Sequence, residues 1–343
     1  MKGFRNFLVL ILLLLLFGTL SFASSPKPTF AGGSVYIRCD GTIEPSSAPV
    51  KRNGDIYTME GDIFGSIVIE KSNITLNGAN HLLRGTKDGL GVTLNLTTNV
   101  RLENLRVEGF NVGFMLDSAQ NCIISENLLK TNLFGVFLES SSNNVIDRNI
   151  IEDAMRGVWL DGFNCSNNAI LKNNIERNIE GIVFTDFADH NLVSSNFLEN
   201  TKENIRLLIA SYNVIANNTI ASSGCGIELY ISWNNTILGN QIIDNGCGVK
   251  LSKDSHGNHF FHNVFVGNAQ HVRDVYGVYS NTWDDGYSSG GNYWSDYSDT
   301  DHYSGACQNI LGSDKIWDKK YVITPEVNQD NYPLVRPFGL GSL

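Results

Sequence analysis

Nine positions, Gly91, Gly113, Gly135, Gly157, Gly181, Asn204, Gly226, Gly248 and His271, recur along the chain at nearly constant intervals. Most of them open a short run of Gly, then Ile or Val, then any residue, then Leu, as at Gly135–Leu138, Gly157–Leu160, Gly226–Leu229 and Gly248–Leu251. A repeat this regular constrains the architecture before any single residue does. A helical solenoid would need a 3.6-residue apolar period inside each repeat, whereas these repeats alternate over short runs rich in Val, Ile and Leu, bounded by Gly, Asn and Ser. Three short strands per repeat make one coil, and stacked coils make a solenoid. The expected fold class is all-β: a single-stranded right-handed parallel β-helix of about 9–10 coils, with caps at both ends. Glycine at the strand entry is expected to supply a positive φ at the corner.

Asparagine supports the same reading. The chain holds 40 of them, and many recur at coil spacing. Asn99, Asn144, Asn168, Asn191, Asn213, Asn235, Asn258 and Asn281 form one expected ladder, with Cys122 filling a missing rung. Asn104, Asn127, Asn149, Asn173, Asn196, Asn218, Asn240 and Asn263 form a second. Amides stacked about 4.8 Å apart can bond to one another and to turn backbone. Most of the asparagine is therefore expected to be architecture.

The motifs quoted above resemble the parallel β-helix repeats of carbohydrate-binding proteins and sugar hydrolases. Within that group the chain is similar to NosD-like exported proteins, which include the periplasmic accessory linked to copper loading of nitrous oxide reductase. The resemblance covers about Gly65 to Asn292, and the segments 281–286, 290–296 and 328–333 are similar to the ending of archaeal members. It implies the fold directly, and as functions it implies copper handling beside a membrane transporter.

Residues 1–23 read as a signal peptide: Lys2 and Arg5, an apolar run from Phe7 to Leu20, and the Ser21-Phe22-Ala23 cleavage site. The mature chain is expected to be secreted or periplasmic and not membrane-spanning. With 35 acidic against 25 basic residues and a net charge of -10, a sequence-independent grip on nucleic acid is not expected. Residues 24–64 are expected to form an N-terminal cap with its first strands, 65–282 the repeats, and 283–343 an aromatic-rich cap. Six Trp or Tyr fall between Trp283 and Tyr303, where they are expected to pack over the last coil. Asp299 and Asp301 are weak calcium candidates, because the run around them departs from a calcium-loop pattern. Cys225 and Cys247, one repeat apart at the same corner, are expected to form a disulfide; the states of Cys39, Cys122, Cys165 and Cys307 stay open. Glycosylation candidates are Asn73, Asn95, Asn164, Asn217 and Asn234, each in an Asn-x-Ser/Thr triplet.

Strand alternation assigns faces. Val136 and Leu138 should point inward and Phe137 and Glu139 outward, so stacking builds an apolar strip of Met115, Phe137 and Trp159 beside the acids Asp117, Glu139 and Asp161. Open aromatic faces there would stack on pyranose rings, while the carboxylates would accept hydroxyl hydrogen bonds or hold Ca²⁺. The same acids, with Arg206 as base, are the weak catalytic candidates for a polysaccharide lyase or glycoside hydrolase. Imidazoles at His256, His259, His262 and His271 are the metal candidates, with copper the suited ion. The leading expectation is noncatalytic binding of extracellular or cell-surface polysaccharide; copper handling and polysaccharide cleavage are the alternatives.

Overall fold

The computed structural model describes residues 29–338; the leader expected over residues 1–23 lies outside them. The described chain is a parallel β-solenoid of about ten turns with no helix. A typical coil has one long strand, Val112–Asp117, and two short ones, Ile123–Ser125 and Leu128–Lys130. Each pairs in parallel with its equivalent one coil later. The long and the last short strands share a 22-stranded sheet, and the middle strands form an 11-stranded sheet.

The interior follows from period-two alternation. Val136 and Leu138 are fully buried, and the same two positions in other coils hold Val158 and Leu160, Ile182 and Phe184, and Ile227 and Leu229. Their side chains stack directly above one another, so each coil closes the core of the one before.

The glycine column has a different cause from the one expected. Gly113, Gly135, Gly157 and Gly226 do not adopt a positive φ. Instead a Cβ on Gly135 would sit 2.5 Å from the Gly157 carbonyl oxygen, and one on Gly157 2.6 Å from that of Gly181. Close approach of neighbouring coils is what excludes a side chain here. The left-handed conformation falls at the corners after each strand, on Ser140, Arg148 and Asp153 in a single coil.

Both asparagine ladders form, shifted at their first rungs. In the first, each backbone N–H donates to the Oδ1 of the next Asn along 144, 168, 191, 213, 235, 258 and 281. The second runs through Asn127, Asn149, Asn173, Asn196, Asn218, Asn240 and Asn263 in the same way. Asn99 and Asn104 are not rungs. They occupy left-handed corner positions, and the buried rung positions beside them are Val100 and Leu105. An unanticipated third ladder includes Asn178, Asn245 and Asn268, which accept from the backbone of Ala154, Ser223 and Asn245.

At the N-terminal end, Val50–Asn53 and Ile56–Met59 form an antiparallel hairpin. At the other end Trp283 and Trp294 are buried, stacked at 4.2 and 4.3 Å on the interior rings of Phe260 and Phe265. The strand Asn328–Asp330 then closes both ladders. Asn281 N–H donates to Asn328 Oδ1 at 2.9 Å; Asn263 N–H donates to Asn292 Oδ1, and Asn292 N–H to Asp330 Oδ2 at 2.7 Å.

Candidate functional site

The long strands place three residue columns on one outward face. Met115, Phe137, Trp159, Val183, Arg206, Glu228 and Lys250 lie in register. Beside them run Asp117, Glu139, Asp161 and Thr185. The third column, which alternation alone did not bring out, holds Phe134, Arg156, Glu180, Glu203, Cys225 and Cys247.

The aromatic strip exists, but its ring faces are not open. Phe137 and Trp159 stack on each other at 4.2 Å with 13° between planes, and the Arg156 guanidinium lies 4.2 Å from the Trp159 ring centroid. Phe134 packs at 5.2 Å from Trp159. Trp159 Nε1–H donates to Thr185 Oγ1 at 2.7 Å, and that hydroxyl donates to Asp161. The half-buried rings therefore present edges outward. Stacking along the solenoid axis is the reason: parallel in-register rings meet face to face before any ligand can.

The three acids differ. Asp117 Oδ1 accepts from the Ser118 hydroxyl at 3.0 Å and Asp161 from Thr185, while Glu139 is exposed between them. Neighbouring rungs are about 4.8 Å apart and Asp117 and Asp161 about twice that.

Further along, the face becomes an alternating charge ladder. Glu180 binds Arg156 and Arg206, each at 2.7 Å; Glu228 binds Arg206 at 2.9 Å and Lys250 at 2.6 Å. Burial would raise the Glu180 pKa, but its two guanidinium partners outweigh it and hold the carboxyl below the usual range. Burial opposes the Arg206 charge, yet hydrogen bonding to Glu180 and the charges of Glu203 and Glu228 raise its pKa. Arg206 is thus a structural cation locked among three acids, which corrects its candidacy as a base: a group held protonated cannot abstract a proton.

The histidines do not converge. His259 Nε2–H donates to the Asp284 carbonyl at 2.8 Å and His262 Nε2–H to that of Ser289 at 3.0 Å, so both pin the tail to the last coil. His256 is exposed, with Nδ1 3.2 Å from Asp254. His271 is buried, which lowers its pKa against the opposing charge of Asp296. Asp301 accepts from the Ser313 hydroxyl and the Asp314 and Lys315 backbones, and Asp299 pairs with Lys319 at 3.0 Å. Among the described residues no group of three or more His, Cys, Asp or Glu is arranged to hold a metal ion.

The bridge expected between Cys225 and Cys247 is not formed. The two residues stand opposite each other as free thiols. Cys39 and Cys307 are exposed free thiols, and Cys122 and Cys165 are buried ones whose pKa burial raises, Cys165 to about 12. The glycosylation candidates Asn73, Asn95, Asn164, Asn217 and Asn234 are all exposed.

A family model described as periplasmic copper-binding protein (NosD) matches residues 34–207 and 163–299. No curated protein matches the sequence. Among solved structures, the A-module of mannuronan C-5 epimerase AlgE6 from Azotobacter vinelandii aligns with a TM-score of 0.54 at 16% identity, over 65% of this chain and 67% of that one. A mutant tailspike protein of E. coli bacteriophage HK620, in complex with pentasaccharide, aligns with a TM-score of 0.53 at 10% identity. That alignment takes in 69% of this chain and 55% of the tailspike, so the chain spans about half the length of that protein. Likeness at such identities shows the fold alone.

Proposed function

Since the chain belongs to the NosD family, and since a family β-helix offers one long outward face, we propose that it is exported and binds a polysaccharide along that face without cleaving it. The observation that carries this reading is Glu139, an exposed carboxylate between Asp117 and Asp161, flanked by the half-buried edges of Phe137 and Trp159. A sugar chain laid along the axis meets an apolar side chain and a hydroxyl acceptor at each of three successive rungs, Met115 with Asp117, Phe137 with Glu139 and Trp159 with Asp161. Recognition then comes from carboxylate hydrogen bonds, which are the stronger kind, with ring edges excluding water. The epimerase and the pentasaccharide-bound tailspike lend support as β-helices whose names tie them to saccharides. The family's periplasmic description fits export, and no helix among the described residues is long and apolar enough to cross a membrane.

The test is electrophoresis of residues 24–343 through native gels containing neutral and acidic polysaccharides, with and without chelator. Retardation in at least one gel is expected. It should survive chelator, because Asp117 and Asp161 turn to hydroxyl partners. Glu139→Gln should weaken binding about tenfold, the worth of one charged hydrogen bond. Unchanged mobility across the whole panel would sink the proposal; retardation untouched by Glu139→Gln and Trp159→Ala would move the site elsewhere.

Copper handling beside a membrane transporter is the second reading, and the family's description supports its copper part. The four histidines lie too far apart in role to share an ion, so copper would need other donors.

A further inference from the structure

The strands Cys225–Tyr230 and Cys247–Leu251 set Cys225 directly opposite Cys247. Residues so paired lie about 4.8 Å apart, inside the roughly 4.4–6.8 Å that a disulfide spans between Cα atoms. The two side chains hydrogen-bond to each other. Each sulfur also rests near the backbone carbonyl two residues on, that of Ile227 at 3.6 Å for Cys225 and of Val249 at 3.2 Å for Cys247. The strand Val272–Asp274 pairs with this coil only from Val249 onward, so the column ends at Cys247.

The two thiols are not equivalent. Cys247 accepts hydrogen bonds from the Cys225 thiol and the Arg273 backbone, and the charges of Arg273 and Lys250 favour its thiolate. Together these outweigh burial and lower its pKa. Cys225 gives its hydrogen to that bond and is buried, so its own pKa rises. One sulfur is therefore fit to attack and the other to resolve, the division that thiol–disulfide exchange requires. By contrast, burial raises Cys122 and Cys165, as in inert structural cysteines.

We propose that Cys225 and Cys247 are a redox-active dithiol that reduces small disulfides carrying carboxylates. The Cys247 thiolate attacks one substrate sulfur, forming a mixed disulfide and expelling the other half as a thiolate. Cys225 passes its proton to that thiolate and attacks Cys247 Sγ, closing the Cys225–Cys247 bond and releasing the second half as a thiolate. Two electrons pass from the pair to the substrate, whose S–S bond is lost. The free thiols are the reduced form. Both residues are less than one-tenth exposed, which admits only small substrates. Lys250 is held by Glu228 at 2.6 Å, whereas Arg273, in register with it, is exposed and enters no ion pair among the described residues; its charge favours a carboxylate. The pair lies three coils from Trp159 and is independent of the polysaccharide reading.

The probes are dithiodiglycolate, an anionic disulfide, and cystamine, a cationic one of similar size. Each is added to the reduced full chain carrying Cys39→Ser and Cys307→Ser, which removes the exposed thiols. One disulfide should be consumed per chain, and a non-reduced peptide map should show a Cys225–Cys247 bridge without adduct. Dithiodiglycolate should react about tenfold faster than cystamine at low salt, since like charges are then poorly screened. The rate should rise with pH through a midpoint below the value of about 8.5 for a free cysteine. Adding Cys225→Ser should trap half of the probe on Cys247, and adding Cys247→Ser should slow consumption about a hundredfold, because the remaining thiol is held protonated. No consumption, a stable adduct with both cysteines present, or a midpoint at or above that of free cysteine would overturn the proposal, and none of these depends on how the cysteine variants fold. Equal rates with the two probes would overturn the preference for carboxylates.

Discussion

Asp330 shows how much a single position can be asked to do. It is fully buried, accepts from the Asn292 backbone, the Trp294 indole and the Tyr332 backbone, and ends a ladder otherwise built of asparagine. Burial outweighs these hydrogen bonds and pushes its carboxyl up to about 7. Because the folded state holds this proton more tightly than an unfolded aspartic acid, the contribution is fully present below about pH 4 and is lost as pH rises through 7. The melting temperature, followed by tryptophan fluorescence, should therefore fall between about pH 4 and 7 and level off above that, beyond the slope set by other groups. Asp330→Asn should flatten that part of the profile; an unaltered slope would show that the proton is not held there. The sequence made the outward and inward assignments of Phe137, Val136, Leu138 and Glu139 legible, because alternation is local. It did not reveal that Trp159 would be covered by Phe137 and Arg156, since that depends on which rings lie one coil away and how they turn. Nor did it reveal the reason for Gly135, which is the Gly157 carbonyl one coil further along the chain.

At the scale of a strand and its corners, the ladders hold the coils together through buried polar groups that have no access to water. Asn173 accepts from both nitrogens of Asn149 and donates to the Ile146 carbonyl at 2.8 Å. Asn173→Ala should cost about 3 kcal/mol or more in chemical unfolding, since each orphaned buried partner costs about 1–3 kcal/mol. Asn99→Ala, by contrast, should cost about 1 kcal/mol, the penalty of a left-handed corner without a polar side chain. Equal effects at the two sites would mean that the register described above is wrong. The spacing of asparagines was legible from sequence, but the first rung of each ladder was not. Asn99 and Asn104 each precede the rung by one residue, and only pairing with the next coil separates a rung from the corner beside it. The charge ladder from Arg156 to Lys250 escaped notice for a related reason: it begins with Arg156 and Glu180 in one column and crosses to Arg206, Glu228 and Lys250 in another.

For the whole molecule, stability is expected to be a sum of coils and the interfaces between neighbours. The exposed ends are where that sum fails, because an open parallel edge pairs with other chains. Removing residues 283–343 would uncover Phe260 and Phe265 and leave Asn281 and Asn263 without their acceptors. Such a chain should aggregate at concentrations where the complete one stays monodisperse, as light scattering would show. Equal behaviour would mean that the last repeat coil closes itself. The C-terminal cap was readable as an aromatic-rich run, but the closure of both ladders by one short strand was not, since Asn328 and Asp330 lie 47 and 38 residues from the groups they accept from.

The ladders have a direction as well as a length. Every rung's Oδ1 takes a hydrogen from the coil before it, and every rung's backbone N–H points to the coil after it. The side-chain amides of each column therefore align their dipoles head to tail over the height of the solenoid, as peptide units do along a helix. Their positive pole lies at the C-terminal cap. There one column ends on the carboxyl of Asp330, so the two ends of the solenoid are electrically unlike, and a stack of neutral amides gives it a fixed polarity.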